Sequence, residues 1–175
     1  MRLSTDFFER DVLQVAPELL GKYIVRQTNG VVTKRRIVET EAYRGEEDLA
    51  CHASKGRTPR TDVMFRKGGL IYVYFIYGMY YMLNFVTGVE GSPQAVLIRG
   101  VENVVGPGRV GRLLQVDKSF YAEDLATSTR IWVEDKNEPV PRIETGKRVG
   151  IGYAGAWKDK PWRFMTPAPT DILNS

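Results

Sequence analysis

The chain has 175 residues and carries 25 Lys and Arg against 21 Asp and Glu, which gives a net charge of +4 and a pI near 9.2. This length favours one domain with a sizeable core, and the mild basic balance permits nucleic acid or another acidic partner without requiring one. The single cysteine, Cys51, excludes an internal disulfide and fits a reducing compartment.

The two segments that resemble membrane or export signals are better explained otherwise. The first residues, MRLSTDFFERDVL, carry acids where a signal peptide needs an apolar stretch, so we expect no secretion. Residues 68–89 contain no charge and are long enough to suggest a membrane span. Tyrosines run through the middle of this segment, and Gly78 and Asn84 interrupt it, so we interpret it as a buried β-hairpin.

The predicted elements alternate short helices with strands. Asp6 with Glu9 predicts a helix over 7–13, and Pro17 predicts the start of a second helix that Gly21 ends. Asn29-Gly30 predicts a two-residue hairpin turn. Further helical segments are predicted near 61–62, over 109–116 and over 122–126. Strands are predicted over 23–28, 31–43, 70–76, 79–87, 95–99, 131–134, 141–144 and 148–153. We therefore expect one α+β domain over 1–175, with a curved, mostly antiparallel sheet flanked by helices and a protruding hairpin that bears tyrosines.

The strand predicted over 31–43 carries the first candidate for chemistry. With a period of two, Glu39, Glu41 and Tyr43 share one face, which suggests that this face looks into a cleft. The two acids fit a general base, or a carboxylate pair that flanks a glycosidic bond. Two solvated acids on an exposed strand would give the same pattern, and spacing alone leaves that alternative open.

A lone histidine and a run of tyrosines follow this strand. His52 fits a ligand contact or a partly buried structural residue, and one His with one Cys gives no zinc cluster, although a carboxylate-only magnesium site stays open. Tyr72 and Tyr74 share a strand face, where they fit either core packing or stacking on a planar ligand. Tyr77 lies beside Gly78 at a predicted hairpin tip, where a large ring is not needed for the core and fits a wedge between bases.

Basic residues surround these candidates. A basic segment between Lys55 and Lys67 precedes the tyrosine hairpin, and it fits either a solvated loop or a surface that holds phosphates. The sequence Gly106-Pro107-Gly108-Arg109 starts a predicted helix, where backbone N–H groups and a cation suit a phosphate, although an ordinary helix entry has the same letters.

In combination these motifs become specific. The ordered set ETEAY, His, TPR, MF, YVYFIYGMY, Asn, VLIR, GPG and GIGYAGAW closely resembles the alkyladenine DNA glycosylase family, also called 3-methyladenine DNA glycosylase. The resemblance covers nearly the whole chain. Between Arg99 and Gly106, however, this chain has only six residues where relatives usually carry a longer helical insertion, so the surface there is uncertain from sequence.

The resemblance implies a catalytic role for two residues. Glu41 matches the general base that activates the attacking water, and Arg99 matches the residue that holds Glu41 and that water. A backbone carbonyl within 149–152 would complete the water site, and Ile151 in this stretch is assigned to the base pocket.

The resemblance also implies how DNA is held. Tyr43, His52 and Tyr74 match the walls of a pocket for a flipped base, and Asn84 matches a position that limits access by normal guanine. Tyr77 matches the residue that fills the gap in the duplex, with Met79 as its support. The residues assigned to the DNA backbone are Arg57, Arg60 and Arg109.

The expected reaction is hydrolysis of the N-glycosidic bond of a damaged purine in double-stranded DNA, with the target base rotated out of the stack. No lysine falls at the position of a nucleophile, so the resemblance implies a monofunctional enzyme without lyase activity, cofactor or metal. We further expect a monomer in a bacterial cytoplasm, with no membrane association. The alternatives are a non-catalytic nucleic-acid-binding module on the same fold, and a sugar-cleaving enzyme that uses Glu39 and Glu41.

Overall fold

The structure is a computed structural model that describes residues 1–167, so the end of the predicted domain at 175 lies outside the described residues. Within the described residues, three short α-helices are found: α1 (Thr5–Phe8), α2 (Val12–Glu18) and α3 (Pro107–Leu113). Short 3₁₀ turns are formed by His52–Lys55, Asp62–Phe65, Lys118–Phe120 and Gly155–Asp159. The strands are β1 (Tyr23–Thr28), β2 (Val31–Arg44), β3 (Ile71–Ile76), β4 (Tyr80–Thr87), β5 (Gln94–Val101), β6 (Val104–Val105), β7 (Ile131–Glu134), β8 (Glu144–Gly146) and β9 (Arg163–Met165).

The strands form one curled sheet in which every pairing is antiparallel. Its main order is β3-β4-β5-β2-β1-β7, with β6 beside β5, and β9 joining β2 to β8. The long strand β2 pairs with β1 through its first half and with β5 through its second half. The predicted α+β class with a mostly antiparallel, curved sheet is confirmed.

One face of this sheet packs against the helices to form the main core. Phe8 of α1, Val15 of α2 and the strand residues Leu83, Phe85 and Ile98 are all buried in one cluster. On β2, the Thr40 hydroxyl donates to the backbone carbonyl of Ala16 at 2.9 Å, which attaches the strand to α2. The side chains on the other face of the same strands do not belong to this core.

The register of the sheet brings that second set together. Across β3, β4, β5 and β2, the directly paired residues Tyr72, Asn84, Leu97 and Glu41 form one row. Residues paired across antiparallel strands point to the same face. Pairing alone therefore places tyrosine, amide and carboxylate side chains in one row, although Asn84 and Glu41 are 43 residues apart in sequence.

The N-terminal helices differ from the prediction. The predicted helix over 7–13 is wrong, because α1 ends at Phe8 and a new helix begins after Asp11. The Asp11 carboxylate accepts the backbone N–H of Leu13 at 2.8 Å and caps α2. Pro17 lies in the last turn of α2 and does not open a helix, although the chain does turn at Gly21, where φ is +84°.

Helix α3 packs unusually closely on β4 because glycines face the strand. A Cβ at Gly111 would lie 2.0 Å from the carbonyl oxygen of Tyr81, and one at Gly108 would lie 2.7 Å from the Tyr80 ring. The helix thus supports the β3–β4 hairpin from one side. The predicted helix over 109–116 is confirmed in kind, with bounds shifted towards the N-terminus.

The short segment after Arg99 forms a tight hairpin. Strands β5 and β6 pair through Gly100–Val105 and Val101–Val104, with Glu102 and Asn103 as the turn and Asn103 at φ 68°. Where relatives were expected to have a helical insertion, this chain therefore has a two-residue connection.

The C-terminal predictions are partly wrong. Residues 148–153 are irregular and not a strand, residues 122–126 form turns and not a helix, and the strand predicted over 141–144 begins only at Glu144. Strand β9 was missed. None of the helices in the described part of the chain is long and apolar enough to cross a membrane.

Candidate active site

A cavity of about 420 Å³ opens on the sheet face opposite the core. Its floor is the row from Tyr72 to Glu41, and the loop around Val149 and the start of α3 form other parts of its wall. Most of the residues predicted for the site line it. They are Glu41, Tyr43, His52, Arg60, Tyr74, Tyr77, Asn84, Arg99, Arg109 and Ile151.

Glu41 brings a carboxylate to the cavity, and hydrogen bonds hold this carboxylate in one orientation. It has no exposed surface as a residue, yet it is one of the groups that line the cavity. The Tyr43 hydroxyl donates to its Oε1 at 2.9 Å, and the backbone N–H of Val149 donates to its Oε2 at 2.7 Å. Two donors on different oxygens fix the orientation of the carboxylate.

The charge of Glu41 is opposed by burial and favoured by its neighbours. Burial raises the pKa of Glu41, and the charge of Arg99 and the N–H of Val149 only partly offset that effect. An Arg99 Nη1 lies 3.7 Å from Oε1, which is longer than a direct hydrogen bond. The Nε of Arg99 is buried and has no hydrogen-bond partner within residues 1–167. Arg99 therefore acts on Glu41 through its charge and not through a direct hydrogen bond.

Glu39, two residues earlier on β2, belongs to a different group of contacts. It accepts from Arg163 at 3.0 Å and lies 3.6 Å from Arg99, and it is not one of the residues that line the cavity. Glu39 therefore pairs with arginines beside the site. The two acids are not two equivalent groups facing one substrate.

Aromatic rings form the side walls. Burial raises the pKa of Tyr43 and of Tyr74 well above the ordinary value, so both hydroxyls keep their protons. The rings of His52 and Tyr74 meet edge to face with centroids 4.6 Å apart. Asn84 is buried at the floor, where its side-chain amide donates to the carbonyl of Tyr72 at 3.3 Å. Most of the wall surface is thus apolar, and a few polar groups lie in fixed positions, as in small-molecule sites generally.

His52 is neutral and its tautomer follows from its neighbours. Burial, and the charges of Arg60 and Lys55, lower the pKa of His52 to about 4. Arg60 can only donate, and its Nη2 lies 3.5 Å from His52 Nδ1, so Nδ1 is an acceptor. The Tyr72 hydroxyl accepts from Arg60 Nε at 3.3 Å and donates to His52 Nδ1 at 2.7 Å. Because Nδ1 accepts, the neutral ring carries its proton on Nε2 and acts as a donor there.

The tip of the β3–β4 hairpin is strained at its aromatic residue. Tyr77 is 79% exposed and has φ 56°, followed by Gly78 at φ 64°. A bulky residue in the left-handed region is an outlier and costs about 1–2 kcal/mol. Strain of this kind gathers at functional sites. Sequence reasoning placed Tyr77 at the tip but had no means of seeing the strain.

The residues predicted to contact DNA differ in whether they line the cavity. Arg60, predicted to contact the DNA backbone, lies at the cavity wall with its guanidinium 5.3 Å from the centroid of the Tyr74 ring. Arg109 also reaches the cavity wall and is exposed. Arg57 is paired with Asp62 at 2.7 Å, and neither Arg57 nor Met79 lines the cavity. Their contacts with DNA stay predictions.

Two groups next to the site were missed from sequence. Tyr72 was considered only as packing or stacking, but its hydroxyl orients His52. Arg148 lies behind the Tyr43 ring and pairs with Asp48, which is far from it in the sequence. Neither residue stands out in the sequence, because Tyr72 is one tyrosine among several and Arg148 directly follows Lys147. Within residues 1–167, no group of three or more His, Cys, Asp or Glu is placed to hold a metal ion.

Comparison with known proteins gives one consistent result. A family model described as Methylpurine-DNA glycosylase (MPG) matches residues 6–169. A protein from Desulfitobacterium hafniense (strain Y51) is 44% identical, with 93% of this chain and 94% of its own length aligned. One from Anaeromyxobacter sp. (strain Fw109-5) is 45% identical over 94% and 88%, and one from Legionella pneumophila (strain Corby) is 43% identical over 93% of each. All three carry the name "Putative 3-methyladenine DNA glycosylase".

Proposed function

Because the chain belongs to the methylpurine-DNA glycosylase family, we propose that it removes damaged purines from double-stranded DNA by hydrolysing the N-glycosidic bond, which leaves an abasic site. The observation that carries this proposal is the buried Glu41 carboxylate, held by two donors at the floor of an aromatic cavity. A module that only binds DNA has no use for such a group. Its charge is costly to bury and serves chemistry better than affinity.

The substrate base must leave the duplex to reach this carboxylate. Tyr77, exposed at a rigid hairpin tip beside the cavity mouth, fills the space that the base vacates. The strained backbone keeps the ring projecting, so less ordering is needed when DNA binds. The unstacked base regains roughly 1–3 kcal/mol by stacking on the rings of Tyr43 and Tyr74.

Hydrolysis follows from the placement of Glu41 and Arg99. A water held by both side chains donates to the Glu41 carboxylate and accepts from Nη1 of Arg99, the Arg99 nitrogen that faces Glu41. Glu41 takes a proton from this water as it attacks the sugar carbon, and the carboxylate also stabilises the positive charge that develops on the sugar. The departing purine carries away the electrons of the glycosidic bond.

The neutral His52 limits how leaving bases are protonated. Its pKa of about 4 means that it does not serve as an acid near pH 7, and its Nε2–H instead donates a hydrogen bond to the bound base. An alkylated purine is already cationic and leaves without further protonation. For a neutral lesion such as hypoxanthine the proton comes from solvent, so its excision falls as pH rises.

We also propose that the enzyme does not cut the strand. No lysine is found among the residues that line the cavity in the described chain. Without an amine nucleophile, water is the attacking group and no Schiff base forms with the sugar.

The decisive measurement is base release from end-labelled duplexes that carry one methylated purine, hypoxanthine or ethenoadenine, with alkali added afterwards to reveal abasic sites. We expect excision by the native protein and a fall of about 10²–10⁴-fold for Glu41→Gln, with DNA binding retained. The matched control is Glu39→Gln, which we expect to lose less than about tenfold because Glu39 contacts Arg99 and Arg163 and does not line the cavity. Binding without release from any lesion would support the binding module instead, and cuts without alkali would overturn the monofunctional mechanism.

A further inference from the structure

A buried ion pair lies behind Tyr43, outside the catalytic groups described above. The side chains of Arg148 and Asp48 are both fully buried, and Arg148 Nη2 donates to Asp48 Oδ1 at 2.9 Å while Nη1 donates to Oδ2. Arg148 also donates to the backbone carbonyls of Ala42 at 3.0 Å and Trp157 at 3.1 Å. Among the described residues Arg148 Nε has no hydrogen-bond partner, and a buried pair of this kind seldom improves stability over apolar packing. Its presence here therefore suggests another use.

Arg148 lies against the back of the cavity wall. Its guanidinium is 4.9 Å from the centroid of the Tyr43 ring and 5.0 Å from that of Trp162. Tyr43 lines the cavity, whereas Arg148 and Trp162 do not. The cation therefore covers the ring face that is turned away from the cavity, and a bound base would meet the opposite face.

The same arginine is linked to Glu41 through the backbone. The next residue, Val149, donates its N–H to Glu41 Oε2 at 2.7 Å. Asp48 in turn accepts backbone N–H groups of Arg44 at 3.1 Å and Ala50 at 3.0 Å, which fixes it to the end of β2. The ion pair thus joins the loop that supplies the N–H donor to the strand that carries Glu41.

Resting on the function proposed above, we propose that Arg148 is a positioning residue that holds the backbone donor of Glu41 in place and weakens the preference of the pocket for cationic over neutral purines. A cation behind the Tyr43 ring repels a second cation in front of it and draws on the same ring electrons. Neutral bases do not meet this repulsion. The pocket therefore accepts neutral lesions better than two bare tyrosine rings would.

Other charged or titratable groups face Glu41 and must stay constant in a test. They are Arg99 from β5, Tyr74 from β3 and Tyr43 on the same strand, with Glu39 beyond Arg99. The Arg148 charge lowers the pKa of Glu41 against the larger effect of burial. Losing that charge therefore moves the acid limb of the pH–rate profile to higher pH, provided that Arg99 is intact.

The test compares single-turnover excision of a cationic methylated purine and of neutral hypoxanthine from pH 5 to 9. The double variant Arg148→Gln with Asp48→Asn removes both charges and keeps polar groups. For this variant we expect the cationic-to-neutral rate ratio to rise by about two- to threefold and the acid limb to move up by a fraction of a pH unit, because loss of the Asp48 charge offsets part of the loss of the Arg148 charge. Arg148→Lys keeps the charge and should leave both quantities near their native values.

A second variant predicts the opposite sign. Asp48→Asn alone leaves the Arg148 cation without its counter-ion, so the ratio should fall and the acid limb should move to lower pH. Unchanged ratios and limbs in folded, DNA-binding variants would overturn the role of Arg148, as would a Lys variant that behaves like the double variant. A native protein inactive on every lesion would instead refute the proposed function, so the two failures are distinguishable.

Discussion

The same strands form both faces of the sheet, but the two faces bury different types of side chain. On the helix side, Phe85 and Ile98 pack with their neighbours into a dry core. On the cavity side, Glu41 and Asn84 are as well buried but are polar, and Glu41 is held by hydrogen bonds that do not remove the cost of burying its charge. The core face is arranged for stability and the cavity face for a chemical task. We therefore expect substitutions on the core face to change stability and substitutions on the cavity face to change activity.

The largest expected effect contrasts two fully buried residues, Phe85 and Glu41. Phe85→Ala should lower the free energy of unfolding by about 3–5 kcal/mol because it leaves a cavity in a packed core. Glu41→Gln should change it by less than about 1 kcal/mol, since the amide still pairs with Val149 and Tyr43 and carries no buried charge. Urea denaturation at pH 7.5 measures both. A loss for Glu41→Gln as large as that for Phe85→Ala would contradict the division between faces.

The acid limb of the pH–rate profile tests the proposal that Glu41 is the general base. Glu41 must be ionised to accept a proton, and burial raises its pKa above the ordinary value. On a cationic methylated purine, activity should therefore be complete above that raised pKa and fall about tenfold per pH unit below it. His52 has a pKa of about 4 and stays neutral throughout, so His52→Gln should lower the rate without moving the limb. A limb that shifts with His52→Gln would assign the titration to the histidine instead.

The hairpin tip offers a case in which stability and activity move in opposite directions. Tyr77→Asn creates an Asn-Gly pair, the favoured sequence for a turn with two positive φ values. We expect the free energy of unfolding to rise by about 1 kcal/mol, and Tm by about 2–4 °C. Excision from duplex DNA should fall by about 10–100-fold because the wedge ring is lost.

A control separates the wedge from a general loss of the site. On a single-stranded substrate the base needs no replacement in a stack, so Tyr77→Asn should lose far less activity there. Equal losses on duplex and single strand would mean that Tyr77 serves the pocket and not the duplex.

Sequence periodicity predicted the features that depend on neighbouring residues. The Asn29-Gly30 turn, the shared face of Glu41 and Tyr43, and the hairpin that carries Tyr77 follow from local rules of turn geometry and strand alternation. The family resemblance added Arg99 and Asn84, whose positions depend on strand register. Local rules were wrong at the N-terminus. The Asp6 and Glu9 pattern predicted a helix over 7–13, but the Asp11 carboxylate caps a helix that begins after it.

What the sequence could not predict depends on long-range pairing. The apolar and glycine alternation of 148–153 resembled a strand, yet this segment is held by the pair between Arg148 and Asp48, 100 residues apart in sequence. Arg60 read as a phosphate contact because it lies in a basic segment, and only the fold brings it to the hydroxyl of Tyr72. Buried pairs of this kind have no local signature, because either partner alone has the sequence pattern of a surface residue.

The smallest predicted effect tests the comparison of the two faces within one strand. Thr40 lies next to Glu41 but points to the core, where its hydroxyl donates to the carbonyl of Ala16 at 2.9 Å. Thr40→Val keeps the shape and removes this bond, so we expect a loss of about 1 kcal/mol in the free energy of unfolding and a native rate of excision. Thermal unfolding and single-turnover excision measured on the same preparation decide it. A fall in excision comparable to that of Glu41→Gln would show that the strand transmits changes between its faces, and the two regions would then not be separable.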